Sequence, residues 1–181
     1  MTGLLPAPLS ALTLVIGGAR SGKSAYAERL ATATARPRRY IATAEAWDDE
    51  MRARIARHLQ DRGADWITIE APLDLGPALN VARPDEVVLV DCATLWLTNH
   101  LLAEHDLQAE AATLLESLAA CKAPVVIVSN EVGWGIVPEN ALARRFRDAQ
   151  GRLNQTLAET ADLVVTVIAG LPLVLKGRLP A

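Results

Sequence analysis

Gly17-Gly18-Ala19-Arg20-Ser21-Gly22-Lys23-Ser24 carries glycine, lysine and a hydroxyl at the spacing G-x-x-x-x-G-K-[ST]. That spacing suits a polyphosphate. Glycines let the backbone curl so that successive N–H groups meet one phosphate chain. Lys23 adds a cation for the β- and γ-phosphates, and the Ser24 hydroxyl is placed to ligate Mg²⁺. With 11 Gly and 3 Lys in 181 residues, chance composition gives roughly 0.001 such matches. The motif also lies between an apolar strand-like run, Leu12–Ile16, and a helical stretch, Lys23 to about Ala33. A chance glycine turn is therefore set aside. The loop specifies a nucleotide but no reaction, since ATPases, GTPases, kinases and motor domains all use it.

Asp91 ends a second apolar run, Val87–Asp91, where a carboxylate reaches Mg²⁺ or caps the next helix. Beside the phosphate loop, the metal role is favoured. Of the three histidines, His58 shares a helix face with Met51 and Ile55, and on that ground alone reads as covering an apolar surface. Neutral imidazole is nevertheless a competent nucleophile near neutral pH. His100 and His105 show no metal-ligand spacing and no acidic partner pattern, and are expected at the surface or a helix end. Glu131, after another apolar strand, either orients or deprotonates an alcohol, or satisfies its own loop. Arg144, Arg145 and Arg147 meet phosphate or pair with Asp148 and Glu139. Trp134 is the one tryptophan in a loop where stacking on a ligand is plausible.

The elements that must hold these residues alternate. Strands are expected at Leu12–Ile16, Tyr40–Thr43, Trp66–Glu70, Val87–Asp91, Val125–Ser129 and Val164–Ala169, with a short edge strand at Leu173–Lys176. Helices are expected at Lys23–Ala33, Asp48–Arg62, after Asp91 to Cys121 with a break near His105, and at Asn140–Ala161. Apolar strands separated by helices describe an α/β fold with a mostly parallel sheet covered on both faces, its ligand beyond the carboxyl ends of the strands.

Composition agrees. A chain of 181 residues, 51% hydrophobic and 22% charged, suits one folded domain. A net charge of −3 gives no global case for nucleic-acid binding. Cys92 and Cys121 lack zinc spacing and read as buried thiols of a reducing compartment. No apolar run approaches the roughly 18 residues of a membrane span. A cytoplasmic location is expected.

Several segments together resemble one family: GGARSGKS (17–24), YIATA (40–44), DDEMRARIARH (48–58), VDCATLWLTN (90–99), NEVGWGIVPENALARRFRDAQGRLNQ (130–155) and AGLPLVLKG (169–177). The chain resembles the bifunctional adenosylcobinamide kinase/adenosylcobinamide-phosphate guanylyltransferases of cobalamin biosynthesis. The resemblance implies a P-loop NTPase fold of the RecA-like three-layer type, in one domain spanning 1–181, with residues 1–11 as an extension. It implies phosphoryl transfer from ATP or GTP to adenosylcobinamide. GMP then passes from GTP through an enzyme histidine to adenosylcobinamide phosphate, with Mg²⁺ present. Position by position, Gly17, Gly18, Ala19, Arg20, Ser21, Gly22, Lys23 and Ser24 would hold phosphates, and Ala42, Thr43 and Ala44 would contact GTP. His58 would be guanylylated; Leu59, Gln60, Asp61, Arg62, Glu70 and Asp91 would belong to the nucleotide site, Ser24 and Asp91 to the metal. Catalysis would rest on His58 and Lys23, and the assembly would be a homotrimer. Ala93 and Trp134 depart from the family's larger aliphatic or Met side chains without removing a catalytic group. A P-loop regulatory ATPase or GTPase, or a kinase without guanylyl transfer, are the other readings; turnover with cobinamide and a GMP adduct on the protein separate them.

Overall fold

Strand-forming Val, Ile and Leu runs give, among the described residues, a seven-stranded sheet in the order β3-β2-β4-β5-β1-β6-β7. The structure is a computed structural model that describes residues 9–45 and 65–180. The helix expected at 48–62, with His58, Leu59, Gln60, Asp61 and Arg62, lies outside the described residues. The elements are β1 (Leu12–Gly17), α1 (Lys23–Ala33), β2 (Arg38–Ala42), β3 (Trp66–Glu70), α2 (Gly76–Asn80) and β4 (Val87–Asp91). They continue as α3 (Ala93–Leu102), α4 (Leu107–Ala120), β5 (Val125–Asn130), α5 (Ala141–Thr160), β6 (Leu163–Ile168) and β7 (Leu171–Lys176). All pairings are parallel except β6 with β7.

Side chains of a strand alternate between faces, and here both faces are apolar. Leu14, Val88, Val90 and Ile127 pack on one side with Leu79, Trp96, Leu114 and Leu157 of α2–α5. Val15, Leu89, Val126, Val128 and Val165 pack on the other with Tyr26, Ala27 and Ala31 of α1. The result is the expected three-layer arrangement, and it turns every parallel strand's carboxyl end toward one edge.

β1, β5 and β6 differ by a single residue from the expected bounds, and the larger differences have local reasons. β2 starts at Arg38 rather than Tyr40, because its two arginines are neutralised: Arg38 by Asp65 at 3.0 Å and Arg39 by Glu86 at 3.0 Å. It ends before Thr43, whose hydroxyl is engaged elsewhere. α2 was not anticipated; it is five residues long, with Asp74 accepting the Gly76 N–H at 3.0 Å and Pro77 in its first turn. α5 runs from Ala141 to Thr160, with Asn140 outside it as the N-cap, accepting from the Ala143 N–H at 3.1 Å. β7 begins at Leu171, two residues earlier than expected, because the Ala169–Gly170 turn lets it pair at once with Ile168. The helical break near His105 is where it was expected, between Leu102 and Leu107.

Glu86 is buried where β4 begins. It receives Arg39 Nη2 and the Arg83 backbone N–H at 3.0 and 2.8 Å. Burial alone would raise its carboxyl, but the Arg83 N–H and the Arg39 guanidinium outweigh burial and hold it below the usual value. A depressed carboxylate stabilises the fold above its unfolded value and loses that contribution as pH falls through the folded one. Glu86→Gln should therefore cost about 3 kcal/mol at neutral pH, by leaving Arg39 buried without its counter-charge. In urea titrations the gap between variant and wild type should close as pH drops below 4.5. An unchanged midpoint at neutral pH would refute the ion pair's contribution.

Candidate nucleotide site

The phosphate-type loop leaves β1 between β5 and β6, the fifth of the six parallel strands. Its first glycine admits no side chain. A Cβ on Gly17 would stand 2.5 Å from Ser21 Oγ and 2.6 Å from the Val167 carbonyl oxygen. Gly22 has φ +93°, a left-handed conformation that L side chains resist, and it forms the N-cap of α1. The Ser21 N–H donates to Gly18 O at 3.2 Å, closing the curl, and the Gly170 N–H donates to Ser21 O at 2.8 Å. Thus the β6–β7 turn, from the far end of the chain, buttresses the loop. Lys23 Nζ donates to Gly18 O at 3.2 Å, which folds its ammonium back over the loop. The first turn of α1 holds no acidic residue, so the helix's positive end is not neutralised from within. Ser21 Oγ is buried without a hydrogen-bond partner.

Asp91 ends β4, in register with Val128 of β5, which pairs with Val15 of β1. One strand separates Asp91 from the loop's strand, which leaves roughly 9–10 Å between strand axes. Among the described residues the Asp91 carboxylate makes no hydrogen bond. The N-cap of α3 falls on Cys92, which makes no side-chain capping bond. The helix-cap reading of Asp91 is thereby disfavoured. Lys23 is close enough for its charge to act on the Cys92 thiol, against burial and the charge of Asp91, which together push that thiol up to about 12. Cys92 stays protonated and is no nucleophile.

Ala42, Thr43 and Ala44 leave β2 beside Asp91, with Thr43 fully buried. Its hydroxyl donates to Cys92 O at 2.8 Å and accepts the Cys92 N–H at 2.7 Å, while its N–H donates to Asp91 O at 3.3 Å. Asn99 Nδ2 donates to Thr43 O and to Pro72 O, both at 2.9 Å. Thr43 thus ties β2 to the start of α3. Glu70 is exposed at the carboxyl end of β3, level with Ala42.

After β5, the Glu131 N–H donates to Gly17 O at 3.0 Å, and the Glu131 carboxylate accepts the Gly133 N–H at 2.6 Å. Its loop role is the one the geometry carries. Arg144 donates to Pro138 O and Glu139 O at 2.8 and 2.6 Å, and Arg147 pairs with Asp148 at 3.1 Å. Trp134 and Ile136 stand 82% and 95% exposed on this loop, which leaves their apolar surface open to a ligand. The loop's root is fixed by a buried cluster that the sequence reading did not single out. Ser129 Oγ donates to Asn154 Oδ1 at 2.6 Å, Gln150 Nε2 reaches both at 2.9 Å, and Asn154 Nδ2 donates to Asn130 O at 3.0 Å. The available signal was Gln150 and Asn154, four residues apart on the same face of α5 as Leu153 and Leu157.

His100 lies in the last turn of α3, a helix end as expected, but it is buried rather than at the surface. It is 3% exposed, its Nδ1 lies 2.9 Å from His105 Nδ1, and Glu110 lies beside both rings. The spacing hid this because the chain reverses between α3 and α4.

These features, a curled glycine loop with a lysine, a strand-end aspartate one strand away and a helix N-terminus beneath, form a site for a nucleoside polyphosphate. The fold is shared with the RadB recombinase, to which the chain is similar with a TM-score of 0.56 at 17% identity, over 96% of this chain and 84% of that one. It is a P-loop NTPase fold of the RecA-like type. The bifunctional adenosylcobalamin biosynthesis protein CobP of Pseudomonas aeruginosa is 48% identical over 168 residues, covering 91% of this chain and 97% of the relative. The bifunctional adenosylcobalamin biosynthesis protein CobU of Escherichia coli is 42% identical over 181 aligned residues, covering 91% and 99%. Residues 13–175 match the family model described as "Cobinamide kinase / cobinamide phosphate guanyltransferase". A match running from β1 into β7, and so over every element of the site, makes this chain a member of the cobinamide kinase/cobinamide phosphate guanyltransferase family of adenosylcobalamin biosynthesis.

Proposed function

We propose that this chain catalyses two successive reactions, ATP- or GTP-dependent phosphorylation of adenosylcobinamide and then GMP transfer from GTP through His58. The observation that carries the reading is one uninterrupted family match, 13–175, that contains both the phosphate loop and His58. In the first reaction the loop amides and Lys23 hold the β- and γ-phosphates while the aminopropanol hydroxyl attacks the γ-phosphorus. The hydroxyl loses its proton and the nucleoside diphosphate leaves. In the second, a neutral His58 ring nitrogen attacks the α-phosphorus of GTP and pyrophosphate departs. A phosphate oxygen of adenosylcobinamide phosphate then attacks the guanylyl phosphorus and frees the histidine, giving adenosylcobinamide-GDP.

The residues present suit Mg²⁺, a hard cation: Asp91 offers a half-buried carboxylate that no described donor occupies, and Ser24 a hydroxyl in the first turn of α1. When bound there, Mg²⁺ neutralises charge on the phosphate oxygens. Thr43, held by Cys92 and Asn99, fixes the backbone of the Ala42–Ala44 segment against the nucleotide. Leu59, Gln60, Asp61, Arg62 and Glu70 complete the guanine-nucleotide side. The protein works in the cytoplasm as a homotrimer, an assembly that light scattering reads directly.

Lys23→Ala should lower kinase turnover by about 10²–10³-fold in folded protein, since the transferring phosphate loses a preorganised cation. Near-normal turnover would move the phosphates elsewhere. Asp91→Asn keeps the side chain's size but removes its charge. Activity should fall and the Mg²⁺ concentration for half-maximal rate should rise, while an unchanged Mg²⁺ dependence would take Asp91 out of the metal site.

The two activities part at His58. His58→Ala should abolish the GMP adduct seen by intact-protein mass measurement while most ATP-dependent phosphorylation of cobinamide survives. The wild-type adduct should be a phosphoramidate, lost in acid and comparatively stable in base, and its formation should weaken as pH falls through the imidazole range. Persistent labelling of folded His58→Ala protein would overturn the assignment.

A further inference from the structure

We propose that His100, His105 and Glu110 form a zinc site at the turn between α3 and α4, separate from the nucleotide site. α3 stops at Leu102, and Glu104 adopts φ +58°, turning the chain back on itself. The His105 N–H then donates to His100 O at 3.1 Å, which sets the two imidazoles side by side. Asp106 caps α4, accepting from Gln108 N–H at 3.0 Å, and so presents Glu110 one turn in.

The donor atoms converge. His100 Nδ1 and His105 Nδ1 are 2.9 Å apart, and Glu110 oxygens lie 3.7 Å from the first and 3.8 Å from the second. These separations bracket the roughly 3.3 Å edge of a tetrahedron with zinc-ligand bonds of about 2.0–2.1 Å. The carboxylate is close enough to share an ion with both rings and too far to hydrogen-bond to either. Two imidazoles and one carboxylate are a borderline donor set that suits zinc and does not suit Mg²⁺ or Ca²⁺.

The proton positions favour binding. His100 Nε2 lies 3.2 Å from Leu73 O, which only accepts, so this nitrogen carries the ring proton. In neutral His100 the Nδ1 lone pair therefore faces His105 and Glu110, with a backbone carbonyl as the outer support typical of a metal-bound histidine. His105 now donates from Nδ1; on binding it moves that proton to Nε2 and no proton is released. Trp96 packs 4.5 Å from the His100 ring and donates Nε1–H to the same Leu73 carbonyl at 2.7 Å, which fixes the ring's plane. All three ligands border a cavity of about 320 Å³, which leaves room for water as the fourth ligand. An ion here would pin the end of α3, the helix whose Asn99 holds Thr43, to the first turn of α4.

The test uses the full chain, stripped with chelator, and has no activity readout. Titration with Co²⁺ should give the visible bands of a four-coordinate ion at one equivalent, and Zn²⁺ should displace it. Zinc-edge X-ray absorption should read two imidazoles per ion, and zinc should raise the melting temperature. His105→Ala and Glu110→Gln, both at partly exposed positions, should each weaken zinc by at least about 100-fold in competition with a chromophoric chelator, beyond the roughly 10–100-fold cost of losing a supporting group. Absence of four-coordinate Co²⁺ bands in the wild type, a single imidazole at the zinc edge, or wild-type affinity in both folded variants would each overturn the site. Should a variant fail to fold, the wild-type spectra decide alone.

Discussion

The approach of the Gly17 backbone to Val167 O and Ser21 sets the terms for everything around it. Atoms at these distances leave no volume for a methyl group, so β1 must end in glycine and β6 must lie directly beside it. The chain then curls through Gly22 into α1, whose N-terminal end opens at the carboxyl edge of the sheet. An anion placed there meets the positive end of the helix and the Lys23 side chain. The loop is thus a property of the β1–β6 contact as much as of its own eight residues. The Gly170 N–H to Ser21 O bond shows the same dependence from the far end of the chain.

Around this point the protein divides its labour between two kinds of interaction. Apolar burial on both faces of the sheet supplies the stability, and it is carried by Val, Leu, Ile and Ala with few aromatics. Position at the sheet's edge is set by buried polar groups. The Thr43 hydroxyl bonds both backbone groups of Cys92, Asn99 bridges Thr43 and Pro72, and the Ser129–Gln150–Asn154 cluster holds the Asn130 carbonyl. Each such bond contributes only about 1 kcal/mol net, yet leaving one buried partner unsatisfied costs more than the bond is worth. That asymmetry makes the loops around the site specific in a way that oily contacts cannot.

Parallel topology then concentrates the chemistry. Because β1 to β6 run the same way, the phosphate loop, the Thr43 segment, Asp91, Glu70 and Glu131 all emerge at one edge, although they span more than a hundred residues. β5 inserts between β4 and β1, so Asp91 and the phosphate loop stand one strand apart at that edge.

The nucleotide loop, the alternation of buried strands with helices, and the family are legible in the residues alone. Each of these is local or periodic: Gly17, Gly22, Lys23 and Ser24 stand within one eight-residue motif, and an apolar run such as Val87–Val90 announces its burial without reference to a partner. The resemblance added His58 and its neighbours, whose roles rest on family pattern. Folding settles the groups whose partners lie elsewhere along the chain. Asp91 does not cap α3, Glu131 serves its own loop, and Arg38 and Arg39 extend β2 because Asp65 and Glu86 neutralise them. Thr43 belongs to a clamp rather than to a strand. His100 and His105 looked unrelated, five residues apart with no ligand spacing, until a left-handed residue at Glu104 reversed the chain and set both beside Glu110. Spacing rules assume a continuing helix or strand; at a reversal the chain leaves that geometry, and only the folded backbone tells which side chains meet.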